Sequence, residues 1–373
     1  MKVALALSGG GVRAAVFHCG VLQRLALDGL LESTTFVSTV SGGSLVVGLI
    51  LCQNGHRWPG NEEFLEAVLP SVRARLTTAT LQWSYAWRSV VLPWRLARGR
   101  THVLAGQLEA QWGICGTMQD VPETPRWMVN ATCYETGRNW RFSRRRMGDY
   151  VTNYVLNPAT PIADAIAASA AVPGAIGPLA IRSDDYDWHR YKKGQLVAGS
   201  TPAKRYALWD GGVYDNLGVE SLFKPGGGFR DGFDFLVVSD ASAPLSLDIG
   251  RVKPVLMPWR RALRLVDVAT EQVRGLRARA LIAEFQRSPA AGVYVRIGNT
   301  VEMVYRAVRR ETPAGEHLKE ADVARAEHFR TTLRRLSGEE FELLRRHGFE
   351  VANATLATRQ ADRFSYKEAL AEN

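Results

Sequence analysis

Cysteine is scarce in this chain: four residues in 373. No two of them form a C-x-x-C pair, and Cys19, Cys52, Cys115 and Cys133 sit among apolar or small residues. That pattern argues against a structural zinc site or a disulfide framework, and it fits reduced, partly buried thiols in a reducing cytosol. No metal and no cofactor is expected. Long apolar runs are missing too. The longest, Leu45–Cys52, falls far short of the ~20 residues a spanning helix needs. Lys2 precedes only the short apolar run Val3–Leu7, less than a ~7–15-residue secretory core, so the chain is expected to open inside its fold. There is no internal repeat, no low-complexity tract, no linker and no G-x-y period. With 46% hydrophobic and 23% charged residues, this excludes fibrous and globally disordered classes.

Acidic residues are missing locally. Residues 70–105 hold six Arg and no acid, 138–146 hold five Arg and no acid, and 251–310 hold 13 Lys+Arg against four Asp+Glu. The net charge of +10 follows from these blocks. Such surfaces attract polyanions, whether nucleic acid or anionic headgroups. No zinc finger, RNP-like pattern or helix-turn-helix accompanies them, so nucleic acid is not the expected partner.

What is present begins with Val3–Leu7, a buried-strand run that ends at Ser8-Gly9-Gly10-Gly11. Helix-spaced apolar residues follow from Val12 to Leu30, then a second β-branched run over Thr35–Val40, then Ser41-Gly42-Gly43 and an apolar helix to Cys52. This β-turn-α-β-turn-α order predicts a parallel sheet. Further strands are expected over Trp127–Glu135, Trp140–Ser143, Tyr206–Trp209, Phe233–Ser239 and Gly292–Ile297. Helices are expected over Pro161–Val172 and Trp259–Arg287. The latter reads as a surface helix whose Leu263, Val266, Val273, Leu276, Ala280 and Phe285 pack on the sheet while its arginines face away. Residues 182–204 read as polar loop, and Arg144-Arg145-Arg146 as a solvated loop. In the tail, Ser337-x-x-Glu340 forms a capping box and Gly348 reads as a helix stop.

Three features carry chemistry. Gly9-Gly10-Gly11-Val12-Arg13 sits between a strand and a helix, where bare amides at a helix N-terminus make an anion site. Gly9-x-Gly11-x-x-Ala14 also fits the dinucleotide fingerprint, but the second strand ends Ser38-Thr39-Val40-Ser41, without the acid that would hold the ribose. Second, Thr39-Val40-Ser41-Gly42-Gly43 puts a serine in a sharp strand-to-helix turn, the logic of the G-x-S-x-G elbow with Thr in place of the first glycine. The helix that begins at Gly42 points its positive end at Ser41. A helix-capping turn would look the same. Third, Asp210-Gly211-Gly212 follows a short strand, at the end where α/β sheets place their sites. An Asp-Gly turn is the plainer reading.

Together and in this order, the three resemble the patatin-like phospholipase family, with its G-G-G-x-R loop, G-x-S-x-G nucleophile and D-G-G/A aspartate. The stretch Ala168-Ser169-Ala170-Ala171-Val172-Pro173-Gly174 is similar to that family's Ala-rich segment. The resemblance covers residues 1 to about 240. It implies a three-layer α/β/α fold with a mostly parallel central sheet. The division drawn from this reading is a catalytic domain over 1–300 and a charged helical C-terminal extension over 301–373 packed on it. It also implies a Ser41–Asp210 dyad without a catalytic histidine, and an oxyanion hole from Gly9, Gly10, Gly11, Arg13 and Gly42. The implied reaction is cleavage of acyl esters in membrane phospholipids or other acyl lipids. His18, His56, His102, His189, His317, His328 and His347 occur in no triad context, although a triad needs only to meet in space.

Between Trp83 and Trp94, aromatic and aliphatic residues crowd beside arginine. Trp83, Trp87 and Trp94 with Arg88, Arg95 and Arg98 read either as a lid or as a contact with an anionic membrane, or as a helical cap on the sheet. The expected location is cytoplasmic and peripheral to a membrane. Two other classes stay open: a nucleotide-binding oxidoreductase that uses the glycine loop, and a catalytically silent lipid-binding scaffold.

Overall fold

Val3–Leu7 (β1) is buried along its whole length and has a parallel neighbour on each side. Its unbroken apolar run, without polar alternation, is what a strand covered on both faces requires. The computed structural model describes residues 1–81, 99–245 and 258–367, and side chains within the last segment from 261 onward. Around β1 lie β2 (Thr34–Thr39), β3 (Arg126–Cys133), β4 (Arg138–Phe142), β5 (Arg146–Asp149), β6 (Asn153–Leu156), β7 (Leu179–Arg182), β8 (Trp188–Lys192), β9 (Gln195–Ala198), β10 (Arg205–Asp210), β11 (Phe235–Asp240) and β12 (Gly292–Arg296). The sheet runs β12-β11-β1-β2-β3-β4-β5-β6-β8-β9, and β10 bridges β3 and β7. From β12 to β3 the neighbours are parallel; beyond β3 they form an antiparallel meander.

The pairing at β3 decides where the chemistry sits. β2 pairs with the first half of β3, up to Thr39 opposite Val129. β10 pairs antiparallel with the second half, and its last residue, Asp210, lies opposite Ala131. The other edge of β3 is taken by β4. The ends of β2 and β10 therefore meet head-on along one strand.

Helices α1 (Gly11–Ala26), α2 (Gly42–Gln53), α3 (Arg100–Trp112), α4 (Ile162–Ser169) and α6 (Gly338–Arg359) cover one face, where the larger core gathers. The other face carries a smaller core of Ala4, Ala6, Phe36 and Met128 under Ala278 and Leu281 of α5 (Pro258–Arg287). The fold is thus α/β/α with a helical C-terminal region.

Four local expectations change. Gly348 does not stop a helix. α6 runs through it, and Gly348 and Gly20 let the backbones of α6 and α1 approach to contact distances that a side chain would block. The Ser337–Glu340 capping box is present. Residues 182–204 are not all loop: they contain the β8–β9 hairpin, turned at Lys193 and Gly194, both with positive φ. Its side chains are mostly exposed, so no apolar alternation announces it. α5 buries Arg274, Ala278 and Leu281, while Leu276 is 61% exposed. Its inward arginines are paired: Arg274 with Asp240 at 2.7 Å, and Arg277 with Glu220 at 2.5 Å. α4 ends at Ser169, short of Val172, because the chain turns there to join the site.

Candidate active site

Ser41 lies between β2 and α2 with φ 47° and ψ −110°. A non-glycine residue holds such a conformation only where its surroundings over-determine it. They do so here. The Ser41 N–H donates to Ser169 Oγ (2.9 Å), and Ser169 Oγ donates to the Asn130 carbonyl (2.6 Å). Ser44 Oγ joins Ser169 Oγ (3.0 Å) and Thr39 Oγ1 (2.9 Å), and Thr39 Oγ1 accepts from Trp127 Nε1 (3.0 Å). Thr39, the departure from the G-x-S-x-G pattern, is therefore a buried hydrogen-bonding post beneath the elbow. Gly43 N–H, bonded to Ser8 O (3.1 Å), ties the elbow to the first glycine loop.

Asp210 reaches the same point from β10. Its backbone N–H donates to Ala171 O (3.0 Å), and Gly211 N–H donates to Ser169 O (3.2 Å). The Ala-rich segment thus holds both loops at once. The Asp210 carboxyl accepts from Gly212 N–H (2.7 Å) and shares the cleft with Ser41. Burial pushes its pKa up to about 7, against the lowering effect of the Gly212 amide and the nearby Ser41 hydroxyl. A carboxylate poised there can take a proton near neutral pH. Ser41 and Asp210 are each 6% exposed, so only the cleft reaches them.

The glycine loop forms the facing wall. Gly9 N–H donates to Asn216 O (3.0 Å) and Val12 N–H to Thr332 O (3.2 Å). Among the described residues, no acceptor takes the N–H of Gly10, Gly11 or Gly42. The Gly9 amide, by contrast, is engaged. Gly10 has φ 141°, and a Cβ there would lie 2.7 Å from an Arg13 nitrogen. The Arg13 guanidinium is 2% exposed and donates to Ala241 O (3.0 and 3.3 Å) and Phe329 O (2.7 Å), so it tethers the loop. Burial lowers its pKa to about 10, partly offset by Asp240 and Glu327.

These residues line a cleft of about 580 Å³, together with Val172, Pro173, Val213, Pro244 and Leu245. Asn216, which sequence reasoning missed, is one of its walls. A Cβ at Gly212 would meet Asn216 Oδ1 at 2.6 Å, and Asn216 Nδ2 donates to Ser242 Oγ (2.8 Å). The available signal was its position just past the Asp210 turn. The segment from His328 to Thr331 closes one side of the cleft. Among the described residues, no histidine hydrogen-bonds Ser41 or Asp210. His18, fully buried between Ser239 Oγ (2.7 Å) and Ser8 O (2.9 Å), is pushed down to about 4, chiefly by burial. His328, the histidine at the cleft, bonds Ala324 O of its own helix (3.0 Å). Trp83, Trp87, Trp94, Arg88, Arg95 and Arg98 lie outside the described residues.

Among the described residues, one set of metal-type side chains comes together elsewhere. Cys52, His56 and Cys115 hold ligand atoms within 4.8 Å of one another. His56 Nε2 is already bonded to Cys115 O (2.9 Å), and burial pushes the Cys52 thiol up to about 12, away from the thiolate that a metal needs. Cys115 is exposed, contrary to the expectation of buried thiols.

The sequence model of the family described as patatin-like phospholipase matches residues 5–223. A patatin-like phospholipase domain-containing protein of Aspergillus oryzae is 26% identical over 208 residues, covering 52% of this chain and 26% of that protein. One from Chaetomium globosum is 24% identical over 249 residues, covering 66% of this chain and 25% of that protein. The chain spans about a quarter of the length of these curated relatives. Among solved structures, human GIVD cytosolic phospholipase A2 is similar in fold, with a TM-score of 0.54 at 14% identity, over 97% of this chain and 62% of that one.

Proposed function

The chain belongs to the patatin-like phospholipase family, and from that premise we propose that it is a lipid acyl hydrolase working through a Ser41–Asp210 dyad. The observation that carries this reading is the strained Ser41 turn in one cleft with the buried Asp210 carboxyl, beside unclaimed backbone amides. Ser41 Oγ attacks the ester carbonyl carbon as Asp210 takes its proton. The amides of Gly10, Gly11 and Gly42 stabilise the resulting oxyanion, each such donor contributing about 3–4 kcal/mol in serine hydrolases. The oxyanion collapses, the alcohol leaves with the proton from Asp210, and an acyl-Ser41 ester remains. Water then attacks that ester, giving its proton to Asp210, which returns it to Ser41 as the fatty acid leaves.

The cleft's apolar residues suit an acyl chain, and the segment holding Trp83, Trp87, Trp94, Arg88, Arg95 and Arg98 is assigned to the contact with an anionic membrane surface. Among the described residues, no helix is long and apolar enough to cross a membrane. The nucleotide reading is disfavoured because Ser41 and Asn216 occupy the space beside the glycine loop and no acid ends β2. The test is hydrolysis of a soluble ester and of mixed phospholipid vesicles, with calcium chelated, by wild type and Ser41→Ala. Turnover and fluorophosphonate labelling by wild type alone are expected. Equal behaviour of the two proteins overturns the reading, and vesicle binding by both without turnover would favour the silent scaffold.

A further inference from the structure

The block of five arginines over 138–146 has no part in the chemistry above, and the structure accounts for it differently from a solvated loop. Across β3–β6, alternate residues face opposite sides. Trp140, Phe142, Met147 and Val155 enter the larger core. Arg141 and Arg146 take the other side, where a hollow of about 340 Å³ opens. Arg126 and Arg230 line the same hollow, with Arg145 exposed at its rim. Arg144, by contrast, turns away to bond Val121 O (2.9 Å).

Five guanidinium groups therefore line one small cavity in which no lining residue is acidic. Arg144 and Arg277 nearby find Glu123 and Glu220. Among the described residues, none of the five forms an ion pair. Several are held in place. Arg146 donates to Tyr191 Oη (2.7 Å) and lies 4.5 Å from the centre of the Tyr154 ring. Arg126 and Arg230 both lie over Phe36, at 5.4 and 5.1 Å. Burial, and then repulsion from Arg145 and Arg146, lowers the pKa of Arg126; burial, and then repulsion from Arg126, Arg141 and Arg146, lowers that of Arg230 against the opposing effect of Asp231. Glu220 acts on Arg141 and Asp231 on Arg230 from outside the lining, but five like charges fixed together with no ion-pair partner among the described residues still create a demand for a multivalent anion, and guanidinium forks match phosphate oxygens. The volume falls in the ~300–1,000 Å³ range of small-ligand sites.

We propose that the Arg126–Arg141–Arg146–Arg230 hollow is a second binding site, for a ligand bearing two or more phosphate groups, carried either on a lipid headgroup or on a soluble small molecule. It shares no lining residue with the Ser41 cleft. Arg126 stands opposite Phe36 in the register that puts Thr39 opposite Val129, so it lies towards the end of β2 remote from Ser41. The proposal does not depend on the ester-hydrolase reading.

The test is calorimetric titration of the full chain with pyrophosphate and with inositol trisphosphate. Flotation is run in parallel, with phosphatidylcholine vesicles containing phosphatidylinositol bisphosphate against charge-matched phosphatidylserine vesicles. One saturable site that weakens with salt is expected. Arg141→Gln with Arg146→Gln should weaken it at least about tenfold, while the exposed pair Arg306→Gln with Arg310→Gln, equal in charge change, leaves it unaltered. If the first double variant fails to fold, Arg145→Gln at the rim should weaken binding about threefold. Binding to the soluble anions identifies a free ligand; binding only to the bisphosphate vesicles identifies a headgroup. Absence of saturable binding in every arm, or equal weakening by both double variants, overturns the proposal.

Discussion

Two polar regions of this molecule are built on opposite principles. Around Ser41 nearly every donor and acceptor is paired: Ser169, Ser44, Thr39, Trp127 and Asn130 form one connected network, and Arg13 is tied at both ends. What stays unclaimed there is a few backbone amides and one carboxyl held near neutrality. The arginine hollow is the reverse. Its backbone belongs to a regular meander, and its arginines outnumber the acids near them and form no ion pair among the described residues. The first region holds a geometry; the second presents a field. Substitutions should therefore act on rate and stability in the first, and on anion affinity in the second.

The comparison breaks most plainly at the nucleophile. Ser41→Ala should cost at least about 10⁴-fold in kcat, the scale seen when a serine nucleophile is removed, with thermal unfolding little changed. Loss of both activity and fold would make Ser41 a structural residue. Asp210→Asn is expected to cost about 10⁴-fold while leaving Ser41→Ala no worse when the two are combined.

Asp210 also carries a pH signature. Its pKa rises from 3.8 in the unfolded chain to about 7 in the folded one, chiefly by burial. Between those values the native state holds a proton that the unfolded state has lost, so stability falls as pH rises through the window and stays lowered above it. Activity needs the ionised form and should rise through about pH 7. Asp210→Asn removes the penalty, so its melting temperature relative to wild type should be higher at pH 8 than at pH 5, an effect of a few kcal/mol at most. A pH-independent difference would contradict the buried, poised carboxyl.

Gly10→Ala forces a Cβ to within 2.7 Å of Arg13 at a φ of 141°. We expect about a 10²-fold loss of kcat, read together with a melting curve. The smallest effect expected is also the most diagnostic of the network. Thr39→Gly restores the G-x-S-x-G pattern yet strands Trp127 Nε1 and leaves Ser44 Oγ with Ser169 alone, so stability should drop by about 1–3 kcal/mol in denaturant unfolding. An unchanged or raised stability would show that Thr39 merely fills the position.

The parallel half of the sheet was readable because its strands are continuous apolar runs that end in glycine turns, as at Val3–Leu7. The meander was only half readable. Trp140 and Phe142 gave a face, but β8 beyond Trp188 and all of β9 are largely exposed and carry no alternation. Gly348 misled for a related reason. A glycine at a helix end and a glycine at a helix crossing look alike until the second helix, α1, is in place. Ser169 and Asn216 were not singled out as site residues because each acts on a loop distant in sequence.

The sequence alone determined the order of strand, glycine loop, helix, strand and serine turn, and with it the identity of the candidate nucleophile and base, because those signals are local and depend on backbone conformations that few residues allow. Only the tertiary structure decided that β2 and β10 end against the same strand, that Arg13 is a tether, that Thr39 is a post, and that five arginines from three parts of the chain share one hollow. These depend on contacts between segments tens to hundreds of residues apart, where burial and charge are properties of the assembled fold.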